Sequence, residues 1–267
     1  MIQSPLHSIR IVLVQPLGPL NLGSIARVMK NMGLKHLYLV NPQCDPLGPE
    51  ARQMAVHAAD ILESARVVQS LPQALQGCQR AIATTGKPRT LAATLEPPRS
   101  ILPWLLEADQ ENSAALLFGP EDRGLDNTEL NYAQRFLSIP TSSAYPSLNL
   151  AQAVGICCYE LYQLAQGEDY PPPSPASVHP LIPSHVPVSL DILEGYYQHL
   201  EALLLQIGYL YPHTANRRMQ KFRRLLSRAL PTREEVALLR GMVSQVEWAI
   251  RQAQPPQGET PHNRPEN

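Results

Sequence analysis

The chain has 267 residues, 44% of them hydrophobic, and a formal net charge of −1. That length allows one large domain or a medium domain with an appendage, the apolar share suffices for a packed core, and the charge excludes a polycation along the whole surface. No window approaches the roughly 18 apolar residues of a membrane span and Met1 to Ser8 lacks an apolar signal core, so neither membrane nor export is expected and the cytoplasm is.

In chain order, Ile9 to Val14 is a β-branched run that predicts a strand, followed by a loop with Pro16, Gly18 and Pro19. Ile25, Val28, Met29 and Met32 recur at helical spacing and Gly33 supplies the stop. His36 to Val40 predicts a second strand. Residues 50–64 predict a helix with Met54, Ala58, Ile61 and Leu62 on one face. Arg66 to Val68 predicts a short strand and Leu71 to Gln76 a short helix ended by Gly77. Ala81 to Thr85 and Ala114 to Phe118 predict strands, with a helix over 98–108 between them. Phe136 to Ile139 is the last predicted strand, and Leu148 to Ala165 a long apolar helix. Strands alternating with helices predict an α/β fold: a parallel sheet with helices on both faces.

Composition changes after this domain, taken as residues 1–166. Seven prolines between Pro171 and Pro187 mark residues 167–188 as an extended boundary or strap. Residues 189–253 predict a small all-α extension of two or three helices, with apolar faces on Leu190, Leu193, Tyr197, Leu200 and Leu204, on Met219, Phe222, Leu225, Leu226, Ala229 and Leu230, and on Val236, Leu239, Val243 and Val246. The polar tail 254–267 predicts disorder.

Several chemistries are missing. No G-x-G-x-x-G follows the first strand, Gly86-Lys87-Pro88 lacks the rest of a P-loop, and no G-x-S-x-G elbow occurs. The cysteines Cys44, Cys78, Cys157 and Cys158 form no C-x-x-C or zinc spacing, so no metal is expected and they read as buried reduced thiols. What remains is three loop segments after strand-like runs: Asn21-Leu22-Gly23-Ser24-Ile25-Ala26-Arg27, Phe118-Gly119-Pro120-Glu121-Asp122-Arg123-Gly124-Leu125 and Tyr145-Pro146-Ser147-Leu148-Asn149-Leu150-Ala151-Gln152-Ala153. Ligands of open α/β sheets bind at the carboxyl ends of strands, so the segments predict one composite site. Gly86, Gly119 and Gly124 let a ligand approach the main chain, Thr84, Thr85, Ser147 and Asn149 add short polar groups, and Ile139, Leu148 and Ala153 add apolar walls. That mix suits a neutral or zwitterionic small molecule with an apolar face.

These segments resemble the three motifs of the TrmH branch of the SPOUT methyltransferases, N-x-G-S-[IV]-A-R, F-G-x-E-x-x-G-L and S-L-N-x-[AS]-x-A, in the family's order over residues 8–165. Residues 196–246 resemble the helical extension of the TrmJ subgroup, through Tyr197 to Glu201, Arg223 to Ala229 and Leu239 to Met242. The resemblance implies a deep C-terminal trefoil knot in the α/β domain, a homodimer, S-adenosylmethionine as methyl donor and a ribose 2′-hydroxyl of RNA as acceptor. For the TrmJ subgroup it implies cytidine or uridine at tRNA nucleotide 32. Methylation of ribosomal RNA, or RNA binding without catalysis, are the alternative functions.

By the same resemblance Arg27, Ser147 and Asn149 are the catalytic candidates. Thr84, Thr85, Gly86, Gly119, Glu121, Ile139, Pro146, Ser147 and Leu148 form the expected cofactor cradle. Asn21, Arg27, Lys87 and Arg89 are expected to meet RNA. An arginine base is awkward because its pKa exceeds about 12, so Arg27 is expected to clamp a phosphate or a developing alkoxide, against the alternative of an ordinary exposed helix arginine. Asn21 either caps a helix or fixes its loop, or else contacts substrate directly. Glu121 either meets the cofactor or fixes its loop through backbone N–H groups. Ser147 and Asn149 can cap the helix that follows them and still face a ligand. Lys87 stands where many relatives carry arginine, and His57, where many carry glycine, either sits on the surface or narrows the site.

Arg217, Lys221, Arg224 and Arg228 fall at i, i+4, i+7 and i+11, one helical face, and Arg218, Arg223 and Arg233 add charge. With no acidic residue from Pro212 to Arg233, this face is expected to position RNA through phosphates, with a solvated helix face as the alternative.

Overall fold

The computed structural model describes residues 5–86, 94–107, 113–167 and 186–253. The expectations for Lys87 and Arg89, for most of the Pro-rich stretch and for the tail lie outside the described residues.

Among the described residues, seven strands, β1 (Ile9–Val14), β2 (His36–Val40), β3 (Arg66–Val68), β4 (Cys78–Thr84), β5 (Leu95–Glu96), β6 (Ser113–Phe118) and β7 (Arg135–Leu137), form one sheet in the order β3-β2-β1-β6-β4-β7-β5. Every pairing is parallel. The period of two divides each strand between two cores. Ile9, Ile11 and Leu13 of β1 enter one apolar cluster, while Val12 and Val14 enter the other. The first cluster is covered by α1 (Pro19–Asn31), α2 (Pro49–Ala55), α3 (Ala59–Glu63), α5 (Pro98–Ile101), α6 (Pro103–Leu106) and α8 (Leu150–Gln166). The second is covered by α4 (Leu71–Ala74) and α7 (Asn127–Leu130). On α1, Leu22, Ile25, Ala26 and Met29 are buried, the i, i+3, i+4, i+7 stripe of a core-facing helix.

Three expectations are corrected. The helix over 50–64 is broken at Val56, whose φ of +54° is costly for a β-branched residue and turns the chain through a 3₁₀ segment, Val56–Ala58, so that Met54 is left exposed. The helix over 98–108 is two short helices, α5 and α6. Between β4 and α5 lies an unexpected strand, β5, too short to show an alternating pattern, paired with β7.

The remaining helices, α9 (Leu190–Gln206), α10 (Pro212–Ala229) and α11 (Arg233–Ala253), share a third apolar cluster that includes Leu193, Tyr197, Leu203, Met219, Val236 and Val243. Leu225, Ala229 and Val246, expected in this core, are exposed instead; Leu210 and Ala215 are buried in it. The helical unit is joined to the sheet unit by specific contacts. Asp191 accepts the Gly77 N–H at 3.1 Å, and Arg224 Nε donates to Asn131 Oδ1 at 3.4 Å. The Arg223 guanidinium lies between the rings of Tyr197 and Tyr132, 4.5 and 5.4 Å from their centroids, and is held by both oxygens of Glu194.

Candidate active site

The carboxyl ends of β4, β6 and β7 are neighbours, with Ala83 opposite Leu117 and Thr84 opposite Leu137. A cavity of about 170 Å³ opens there. The expected cradle residues Thr84, Thr85, Gly86, Gly119, Glu121, Ile139, Pro146, Ser147 and Leu148 all line it, although they come from three separated stretches. Gly124 and Ala153 line it too. Phe118, Pro120, Asp122, Arg123, Leu125, Leu137 and Leu150, not singled out from the sequence, complete the wall. Several of these lie inside the motifs, so the signal for them was adjacency to residues already chosen.

The main chain explains two motif glycines. A Cβ on Gly119 would stand 2.2 Å from Leu125 N and 2.3 Å from Gly124 C, so only glycine lets the loop fold back on itself. Gly124 has φ +68°, the left-handed region that favours glycine. The loop then enters α7 through a capping box in which Asp126 accepts from Thr128 and Glu129 N–H groups and Glu129 reaches back to Asp126 N–H. Arg123 ties this loop to β1, pairing with Glu129 at 2.8 Å and donating to Gln15 Oε1 at 2.8 Å.

Glu121 is the hub of a buried-edge network. It accepts from Leu17 N–H at 2.9 Å, Gly18 N–H at 3.1 Å and Asn21 Nδ2 at 2.8 Å. Asn21 Oδ1 in turn accepts from Asn149 Nδ2 at 3.0 Å, and Asn149 Oδ1 caps α8 by accepting from Ala151 and Gln152 N–H groups. Partial burial alone would raise the Glu121 pKa, but the Asn21 amide and the Leu17 and Gly18 N–H groups overcome it and hold the carboxyl below its ordinary range.

Of the alternatives left open for Asn21, it does not cap α1, which begins at Pro19 with Gly18 as its N-cap, but it does fix its loop, its amide bridging Glu121 and Asn149. Of those for Glu121, loop fixing through backbone N–H groups is observed, the groups belonging to the β1–α1 loop. Arg27 does not line the cavity. The buried stripe of α1 turns it outward, exposed and without a hydrogen-bond or ion-pair partner among the described residues. His57 is exposed on the 3₁₀ turn, where its carbonyl accepts from Lys30 Nζ at 2.8 Å near the far end of α1 from Asn21, which is the surface alternative.

On α10, Arg217, Lys221 and Arg228 are exposed and Arg224 half-buried against Asn131. Arg223 is withdrawn from the basic face by Glu194. Burial pushes the Cys158 thiol up to about 12 and Cys78 to about 11, and raises Cys157 also; Cys44 is half-buried. Among the described residues no group of His, Cys, Asp and Glu could hold a metal, and no helix is long and apolar enough to cross a membrane.

Sheet and cavity have the geometry of α/β proteins that take a ligand at the carboxyl ends of their strands. A sequence profile of the SpoU rRNA methylase family matches residues 8–159, and one for the C-terminal domain of the tRNA methyltransferase TrmJ matches residues 191–258. The chain belongs to the SpoU methylase family. It is 40% identical over 247 residues to the tRNA (cytidine/uridine-2′-O-)-methyltransferase TrmJ of Pectobacterium atrosepticum, covering 91% of this chain and 98% of that one. It is 39% identical to the protein of the same name from Sodalis glossinidius, covering 98% and 99%. The crystal structure of TrmJ from Z. mobilis ZM4 superposes with a TM-score of 0.76 at 30% identity, covering 89% of this chain and 98% of that one.

Proposed function

We propose that this protein transfers a methyl group from S-adenosylmethionine to the ribose 2′-hydroxyl of cytidine or uridine in tRNA, at nucleotide 32. The observation that carries the reading is the convergence of the nine expected cradle residues, from three separated stretches that include the second and third motifs, on one cavity, in a chain whose two parts match a methylase family and a TrmJ C-terminal domain. The lining suits the donor: Ile139, Leu148 and Leu150 offer an apolar wall, Thr84, Thr85 and Ser147 offer polar groups, and Gly86 and Gly119 expose main chain. S-adenosylmethionine supplies a methyl group on a sulfonium, already a strong electrophile.

The protein's part is to position a poor nucleophile and assist loss of its proton. Holding reactants in place supplies several kcal/mol of barrier reduction. Arg27, always charged and exposed outside its own chain's cavity, clamps a substrate phosphate or, across the homodimer, the oxyanion developing on the ribose. Ser147 faces the cavity. Asn149 and Asn21, whose amides are committed within the protein, act by locking the first and third motifs to Glu121. The exposed cations of α10 hold the RNA backbone. The reading includes a cytoplasmic homodimer, to which exposed Leu20 on α1 and Ile156 and Tyr159 on the adjoining α8 lend support, and the family's trefoil threading.

The test is methyl transfer from labelled S-adenosylmethionine to tRNA and to ribosomal RNA, with Arg27→Ala as control, and mapping of ribose methylation in cells lacking the protein. Incorporation into tRNA that fails with Arg27→Ala, and loss of the modification at nucleotide 32, are expected. Full activity of Arg27→Ala, or labelling of ribosomal RNA alone, would sink the assignment.

A further inference from the structure

Between α9 and α10 the chain makes a tight turn anchored by Leu210, which is 1% exposed and whose N–H donates to Leu204 O at 2.9 Å. Gly208, at φ +74°, allows the reversal. Burying Leu210 drives its two neighbours outward: Tyr209 is 53% and Tyr211 55% exposed. Both rings are nonetheless ordered by neighbours. Arg218 donates to Tyr209 O at 2.8 Å and its guanidinium lies 5.7 Å from the Tyr209 ring centroid. Tyr211 stacks on His213 with centroids 6.0 Å apart and planes inclined by 23°.

We propose that Tyr209 and Tyr211, flanked by Arg218 and His213, form a stacking platform for unpaired RNA bases. This rests on the reading of the protein as a tRNA methyltransferase and adds to it a base contact beside the phosphate contacts. Large exposed aromatic faces are costly to leave in water and are what single-stranded nucleic acid stacks upon, in company with cations that follow the backbone. The charge pattern selects RNA over a protein partner. No acidic residue lies between Glu201 and Glu234, while Arg217, Arg218 and Lys221 begin one turn beyond the tyrosines and are exposed. Helix α10 also connects the platform to the sheet unit that holds the cavity. Arg224 meets Asn131, directly after α7 and the cavity loop, and Tyr211 precedes it by thirteen positions, about 20 Å along α10. RNA reaching the cavity can therefore be gripped by bases well away from the nucleotide that is modified.

The experiment measures binding of an unmodified tRNA transcript and of a short single-stranded oligouridine over a range of salt concentrations, with methyl transfer to the tRNA measured in parallel. Because both tyrosines are exposed, Tyr209→Ala/Tyr211→Ala is expected to fold. It should bind both RNAs roughly tenfold or more weakly at every salt concentration, with the salt slope unchanged. Tyr209→Phe/Tyr211→Phe should bind as the unaltered protein does, since stacking needs the ring and not the hydroxyl. Arg217→Ala/Lys221→Ala should lower the salt slope by about one for each cation removed. Binding of the alanine pair within about twofold of the unaltered protein, or a phenylalanine pair as weak as the alanine pair, would overturn the platform while leaving the methyltransferase reading intact. Unaltered protein that binds oligouridine through the tyrosines yet methylates no tRNA would end that reading and leave the platform standing; unaltered protein that binds neither RNA removes both.

Discussion

The side-chain amide of Asn149 donates to the side-chain oxygen of Asn21 at 3.0 Å, joining two residues 128 positions apart in the chain. Since Asn21 also reaches Glu121 and Asn149 also caps α8, this bond completes a chain from the cavity loop through α1 to α8. A site built from three loops needs such a lock, because a loop free to move by an ångström loses much of its positioning.

The lock is acid-sensitive in a defined direction. The folded Glu121 pKa is lowered, so its stabilisation is complete above about pH 4.3, the ordinary value of a free glutamate, and is lost as pH falls through the lowered value. Glu121→Gln should therefore be less stable than the unaltered protein at neutral pH, and the gap in denaturant midpoint should close as pH falls below about 4. A gap that stays constant down to acid pH would show that the carboxylate charge is not what holds the loop.

Arg27→Ala should leave the melting temperature almost unchanged, because an exposed side chain without partners among the described residues contributes within about 0.5 kcal/mol. Methyl transfer should fall by about a hundredfold or more, the usual effect of removing a charge-stabilising donor. Arg27→Lys should restore only part of it, lacking the planar fork. Thermal melts beside single-turnover transfer rates check both halves.

Two glycines make opposite predictions. At Gly119 an added methyl meets fixed backbone at 2.2 Å, so Gly119→Ala should cost about 1–3 kcal/mol and weaken S-adenosylmethionine uptake in calorimetry. At Gly155, in the middle of α8, the nearest atom is Val28 Cγ2 at 3.9 Å, an ordinary contact. Gly155→Ala should stabilise the protein by up to about 1 kcal/mol through helix propensity, with cofactor uptake unaltered.

Arg223 fastens the helical unit to the sheet unit. Its side chain and that of Glu194 are 14% and 13% exposed, so Arg223→Ala strands a shielded carboxylate and should cost about 3 kcal/mol. Hydrogen exchange should rise in α9, α10 and the residues around Tyr132, while the β1 and β6 amides stay protected. Restoration of protection by the double change Arg223→Met with Glu194→Leu would confirm that the stranded charge is the cause.

Much of this protein is written in local pattern. The continuous apolar strand runs, the stripe on α1 and the three motif segments are short-range features, and period and residue type determine them. The broken helix at Val56 and the two-residue strand β5 escaped that reading, because a left-handed residue and an edge pairing depend on neighbours distant in sequence. Side-chain partners escaped it for the same reason. Glu121 was recognisable as a motif carboxylate, but its grip on the β1–α1 loop follows from β6 lying beside β1 in the sheet. Arg223 reads as one more cation on a basic helix, yet Glu194 from another helix and Tyr132 from the sheet unit claim it. Residue types thus determined which chemical groups were available and which segments would present them. The tertiary structure alone decided which groups meet, because contact between residues a hundred positions apart is set by strand order and helix packing, and not by any spacing along the chain.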